Sequence, residues 1–140
     1  MRAFLQTAFA ISLVSFTLPG CGSSTAKTDD LRQVTGTVTY DGMPLTSGFV
    51  TFMPAGETGN SATGDLDSSG GYSLSTRSPR DGVQPGSYKV AVTSWEISPE
   101  MGQEGVSAIP KKYFDANKSG LTATVTDESD QTIDFEIKSE

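Results

Sequence analysis

The chain reads as all-β: a small antiparallel β-sandwich of about seven strands that follows an N-terminal signal peptide. Three observations predict this. From Gln33 onward apolar residues recur with period two, the spacing of strands that bury one face. Turn formers are abundant, with 15 glycines and 7 prolines, and they cluster between the apolar runs. No stretch carries the 3.6-residue period of an amphipathic helix. Strands with one apolar face each bury those faces only against one another, so two packed sheets are the economical arrangement.

The elements follow in order. In Gln33–Tyr40, Val34, Gly36, Val38 and Tyr40 share one face, and Thr35, Thr37 and Thr39 share the other. Asp41-Gly42 then marks a tight turn. Phe49–Met53 is the next strand, ended by Pro54. Ser61–Leu66 and Tyr72–Thr76 flank Asp67-Ser68-Ser69-Gly70-Gly71, which predicts a hairpin whose glycines supply positive φ angles. Pro85-Gly86 turns the chain into Ser87–Ser94, where Tyr88, Val90 and Val92 alternate with Ser87, Lys89, Ala91 and Thr93. Leu121, Ala123 and Val125 alternate with threonines, and Ile133, Phe135 and Ile137 alternate with Thr132, Asp134, Glu136 and Lys138. The expected core is Tyr40, Val50, Phe52, Tyr72, Leu74, Tyr88, Val90, Val92, Val125, Ile133 and Phe135. Trp95–Ser119 breaks the rhythm as a long segment without period, a kind of loop that is often functional. Its aromatics Trp95, Tyr113 and Phe114 either pack on the sandwich edge or contact a ligand or partner.

Composition narrows the function classes. At 140 residues and 35% hydrophobic content the chain supports one modest core. Its net charge of −7 repels phosphate backbones, which argues against nucleic-acid binding. There is no histidine, so the commonest general base and metal ligand are both missing. One cysteine permits neither an internal disulfide nor a cysteine-built zinc site.

Residues 1–20 read as the signal peptide. Arg2 gives a positive start, and Ala3–Leu18 is mostly apolar. That run is short for a membrane span, which needs about 20 apolar residues. Leu18-Pro19-Gly20-Cys21 resembles the bacterial lipobox, with Pro19 departing from the usual small residue. The resemblance implies cleavage between Gly20 and Cys21, a diacylglycerol on the Cys21 thiol and an acylated new amine, with palmitate as a typical chain. An ordinary secretory signal with an incidental cysteine is the other reading. Residues 21–32 would then be a polar, flexible tether, and 33–138 the folded domain. No aspartate follows Cys21, which by resemblance to Gram-negative sorting favours the outer over the inner membrane.

Three further motifs bear a family resemblance. Val34-Thr35-Gly36-Thr37-Val38-Thr39-Tyr40-Asp41-Gly42 with Pro44-Leu45 resembles the opening of carboxypeptidase regulatory-like domains. Asp67–Leu74 resembles their Asp-x-x-Gly-x-Tyr-x-Leu hairpin, and Pro85–Val92 their Pro-Gly-x-Tyr-x-Val-x-Val strand. Ile109–Tyr113 followed by Ser119–Val125 is similar to the version in small planctomycete lipoproteins. Covering roughly residues 33–137, the resemblance implies a transthyretin-like (prealbumin-like) sandwich that serves as an accessory module rather than a catalyst.

Asp65, Asp67 and Ser69 with Gly70 echo a calcium loop, but Thr76 stands where a bidentate glutamate would close it. A hairpin turn whose side chains bond their own backbone explains the same residues, so no metal or other cofactor is expected. Asp127, Glu128 and Asp130 read as a solvated acidic turn. No residue pattern selects a catalytic base or nucleophile. The expectation is therefore a lipid-anchored, non-catalytic envelope module that meets a protein or polysaccharide partner. The alternatives are a carbohydrate- or small-ligand-binding module using the aromatics of 95–119, and an enzyme.

Overall fold

A computed structural model describes residues 30–139. The signal peptide, Gly20, Cys21 and the tether as far as residue 29 lie outside the described residues. The regular elements among the described residues are nearly all strands: β1 (Gln33–Tyr40), β2 (Met43–Pro44), β3 (Phe49–Pro54), β4 (Ala62–Asp65), β5 (Gly71–Ser73), β6 (Gly86–Thr93), β7 (Trp95–Ile97), β8 (Val106–Ser107), β9 (Leu121–Val125), β10 (Asp130–Thr132) and β11 (Phe135–Ile137). Many of these are two- or three-residue pieces, which is why they outnumber the seven expected. Among the described residues one 3₁₀ turn spans Lys111–Phe114.

Two sheets form the sandwich. In one, β4, β3, β6 and β9 lie side by side, all antiparallel. In the other, β1 is central, with β2 and β5 antiparallel to it. Beside β1 also run β10 and β11, and here the pairing is parallel, not antiparallel. The return is a crossover from β9 through the turn after Val125.

The period-two reading of faces holds. Val34, Gly36 and Val38 of β1 are buried, whereas Thr35 and Thr37 are exposed. Phe52 of β3 sits between the sheets, with ring centroids 5.9 Å from Phe135, 6.3 Å from Tyr72 and 5.7 Å from Tyr88. Nine of the eleven expected core residues are buried; Tyr40 and Ile133 are only partly so, packed against the rim. Val34, Val38, Leu45, Val83, Ile109, Tyr113 and Ile137 join them. Asp41 and Gly42 both take positive φ, 49° and 84°, as a type I′ hairpin between β1 and β2 requires. The fold also starts before the expected end of the tether: the Arg32 amide donates to the Val83 carbonyl at 2.7 Å.

The expected strand Thr132–Lys138 is interrupted, although its register against β1 does not slip: Thr35 faces Thr132 and Val38 faces Phe135. The Ile133 amide donates to the Thr35 carbonyl at 2.8 Å. A regular parallel ladder would return the Ile133 carbonyl to the Thr37 amide. Instead that carbonyl accepts the Tyr72 hydroxyl at 2.6 Å, and the Thr37 amide and hydroxyl donate to Asp134 Oδ1 at 2.8 and 2.9 Å. The turned carbonyl lies where a side chain on residue 36 would stand. A Cβ there would meet the Ile133 oxygen at 1.8 Å, so the strand requires glycine at this point.

Candidate functional site

The segment 95–119 divides into two parts. Residues 109–119 pack. Ile109, Tyr113, Ala116 and Ser119 are buried, and the Ser119 hydroxyl donates to the Val90 carbonyl at 2.5 Å. Tyr113 is 7% exposed, and its hydroxyl bonds the Lys138 carbonyl and amide at 3.3 and 3.2 Å. Phe114 is partly buried, and Trp95 meets it edge-on at 4.9 Å between centroids. Of the three aromatics that the sequence leaves either to pack on the sandwich edge or to contact a ligand, Tyr113 therefore belongs to the core, while Trp95 and Phe114 pack on each other.

What precedes them projects. β7 and β8 pair only with each other, with Ile97 opposite Val106 across an irregular register and a bridge between Glu100 and Gln103 beyond. Ile97, Met101 and Val106 are exposed, and Met101 at the tip is as open as a residue in a free chain. The charged residues from 90 to 110 are Glu96, Glu100 and Glu104, with no lysine or arginine among them. The hairpin thus presents an apolar ridge set among carboxylates. Sequence reading missed Ile97, Met101 and Val106, because two short strands with a bulge give no sustained period.

Asp65, Asp67 and Ser69 form no cage. Asp67 Oδ1 accepts the Ser69 hydroxyl at 2.6 Å, the Ser69 amide at 2.8 Å and the Gly71 amide at 2.9 Å. Those donors, the Ser69 hydroxyl foremost, hold the Asp67 carboxyl below the ordinary carboxylate range. The side chain closes a turn, and Gly70 supplies the positive φ of 78°. The predicted hairpin exists at its two ends: Thr63 and Ser75 exchange backbone bonds of 2.9 Å, and the Asp67 amide donates to the Gly71 carbonyl. Its strands nevertheless belong to different sheets, and the rung between Asp65 and Ser73 is not made. The crease falls at Gly64, where a Cβ would lie 2.8 Å from the Ser73 carbonyl oxygen.

Beside the crease an open groove of about 1090 Å³ runs over the outer faces of β1 and β5 towards β4. The loop after β5 walls one end. There Asp81 accepts the amides of Thr76, Arg77 and Ser78 at 2.6–2.9 Å. Burial pushes the Asp81 carboxyl up, but these amides together outweigh it and leave the carboxyl below its ordinary range.

No family model and no curated protein matches the chain. Among solved structures it is similar to a DUF3823 family protein from Parabacteroides merdae, with 14% identity and a TM-score of 0.43 over 76% of this chain and 45% of that one. A DUF3823 family protein from Bacteroides ovatus gives 18% identity and a TM-score of 0.40 over 76% and 44%. A 9R-lipoxygenase from Cyanothece gives 12% and 0.41 over 78% and 16%. The chain spans less than half the length of each of these structures.

Proposed function

We propose that this protein is a lipid-anchored, non-catalytic module of the cell envelope, held by acyl chains on Cys21, and that it meets a protein partner through the β7–β8 hairpin. On this reading the sandwich is carboxypeptidase regulatory-like. The type I′ turn at Asp41-Gly42, the Asp67–Gly71 turn and the entry to β6 at Gly86 support it.

The observation that carries the reading is the hairpin itself. Exposing Ile97, Met101 and Val106 together lowers solubility and gives the isolated domain nothing, so a surface that covers them is the physical reason to keep them there. The three glutamates around the ridge select a partner with a cationic rim about an apolar centre. Carbohydrate recognition by Trp95, Tyr113 and Phe114 has less support, since Tyr113 is buried and Trp95 meets Phe114 edge-on rather than offering an open flat face.

The test uses the full chain in its host. Residue 106, exposed at the hairpin and kept in both chains below, is replaced by a photo-crosslinking amino acid and the captured envelope protein is identified. A second chain carries Gly-Gly in place of residues 98–105. The reading expects one dominant crosslinked partner from position 106, lost when 98–105 are shortened while the melting temperature moves by no more than about 3 °C, the scale of an exposed change. Capture that persists without the hairpin refutes it.

A further inference from the structure

The lysines are not spread over the fold. All five among the described residues lie on the 3₁₀ turn, just after it, or against that segment, and all five are exposed. Lys111 and Lys112 open the turn, and Lys118 follows it. Lys138 is brought alongside by the Tyr113 hydroxyl, which bonds its backbone carbonyl and amide. Lys89 reaches across from β6, with Nζ 2.8 Å from Asn117 Oδ1. Lys118 pairs with Asp115 at 3.5 Å and Lys138 with Glu136 at 3.8 Å, whereas Lys89 and Lys111 form no ion pair among the described residues. On a chain whose net charge is −7, this is a concentrated cationic surface.

That surface adjoins the acidic hairpin. Trp95 begins β7 and Phe114 ends the 3₁₀ turn, and their rings meet at 4.9 Å while both residues stay partly exposed. On one side of this contact stand the lysines. On the other stand Glu96, Glu100 and Glu104, set among Ile97, Met101 and Val106. The two sets do not neutralise each other within one chain, because the three glutamates form no ion pair among the described residues. An apolar centre with a cationic rim is what the hairpin calls for in a partner. Trp95 and Phe114, with the lysines around them, supply one on this chain itself.

From this arrangement we propose that the partner is a second copy of the chain. Two copies join about a two-fold axis, each hairpin laid over the other's Trp95–Phe114 contact and lysines. In a two-fold contact each copy gives the same two patches, so an acidic and a basic patch that adjoin on one copy are both answered at once. Ile97, Met101 and Val106 then lie over the aromatic pair, and the glutamates face Lys111, Lys112 and Lys118. The net negative charge of each copy opposes association, so the local exchange of opposite charges is what sets the orientation. The inference rests on the hairpin reading, since it names the partner of that surface.

The experiment is charge exchange in the host, with full-length chains and the photo-crosslinking residue at position 106. The unaltered chain should give a dominant product of twice its own mass, and mass spectrometry should join residue 106 to the segment 111–118. A chain carrying Glu96→Lys, Glu100→Lys and Glu104→Lys should lose that product about tenfold, since like charges then meet. A chain carrying Lys111→Glu, Lys112→Glu and Lys118→Glu should lose it equally. Expressed together, with the photo-residue on the first chain only, the two should recover most of the product, and it should contain the substitutions of the second chain. Both contacts are complementary in that mixed pair, so recovery also shows that neither chain had failed to fold. A dominant crosslink to a different envelope protein overturns the proposal and leaves the hairpin reading standing. No crosslink to any protein overturns both. A double-mass product that survives either charge reversal, or that mixing does not restore, overturns the proposal alone.

Discussion

Gly36→Ala tests the most unusual join in the fold. The added methyl would sit 1.8 Å from the Ile133 carbonyl oxygen, 2.7 Å from its carbon and 2.9 Å from Tyr72 Cε1. Two of those three atoms are backbone, so no side-chain rotation relieves the contact. Either β1 moves away from the strand pair β10–β11, or the Ile133 peptide turns. Turning it breaks the 2.6 Å bond from the hydroxyl of Tyr72, a residue that is 5% exposed. Overpacking of this kind costs about 1–3 kcal/mol. Leaving the Tyr72 hydroxyl without an acceptor costs about 1–3 kcal/mol more.

The sum, about 4 kcal/mol, is a large part of the ~5–15 kcal/mol typical of a whole domain. At roughly 5 °C per kcal/mol it lowers the melting temperature by about 20 °C. Urea unfolding followed by far-UV circular dichroism and by Trp95 fluorescence measures it. Gly56→Ala is the control: no atom lies within 4 Å of its added Cβ, and its φ is not in the positive region, so it should stay within about 0.5 kcal/mol of the wild type. A Gly36→Ala protein as stable as Gly56→Ala would show that the carbonyl does not lie over residue 36.

Phe135→Ala removes a ring that is 7% exposed and packs on Phe52 and Tyr72, and should cost about 3–5 kcal/mol in urea; a cost under about 1 kcal/mol would place Phe135 outside the core. Cys21→Ser should leave a precursor or a detergent-insensitive soluble form, whereas intact mass of the wild type should show acyl chains; an unmodified wild-type Cys21 sinks the anchor. Asp67, Asp81 and Asp115 all have folded pKa values below ordinary ones: Asp67 first through the Ser69 hydroxyl, Asp81 against its own burial, and Asp115 first through the Asn117 amide. As pH falls, the unfolded chain, with carboxyls near ~3.9, takes up protons first. The stability these groups add is therefore complete above that value and lost as the pH drops through their lower folded values. Urea midpoints should hold level from pH 7 to about 5 and fall below about 4, and a midpoint that rose towards acid would contradict the three caps.

Much of the fold was legible because period two reports faces directly. β1 was readable to the residue, and the Asp41-Gly42 hairpin and the buried row Tyr88, Val90, Val92 followed from turn chemistry and alternation. Alternation says which face is buried, however, and not which strand lies alongside. The parallel return of β10 and β11 was invisible for that reason. Gly36 stood out in an otherwise apolar row, yet nothing local announced that a carbonyl from residue 133 would fill its place. The crease at Gly64 and Ser73 has the same character: the turn was written in Asp67–Gly71, but the unmade rung depends on the two strands joining different sheets. The groove residues are scattered from Asp65 to Asp134, so only the folded chain assembles them.

The order of strands also fixes where the two surfaces lie relative to any anchor at the N-terminus. Arg32 bonds Val83, and Asp30 lines one cleft with Gly86, Ser87 and Tyr88, so the chain enters the sandwich at the end where β6 begins. β6 then runs eight residues to Thr93, roughly 23 Å, before Ser94 delivers the chain to β7. The hairpin consequently leaves the pole opposite the N-terminal entry. If Cys21 holds the entry pole at a membrane, Met101 points away from the lipid, where a soluble or wall-borne partner can reach it. The groove starts near the entry pole, at Arg80 beside Gln33, and extends along β1 towards Thr37.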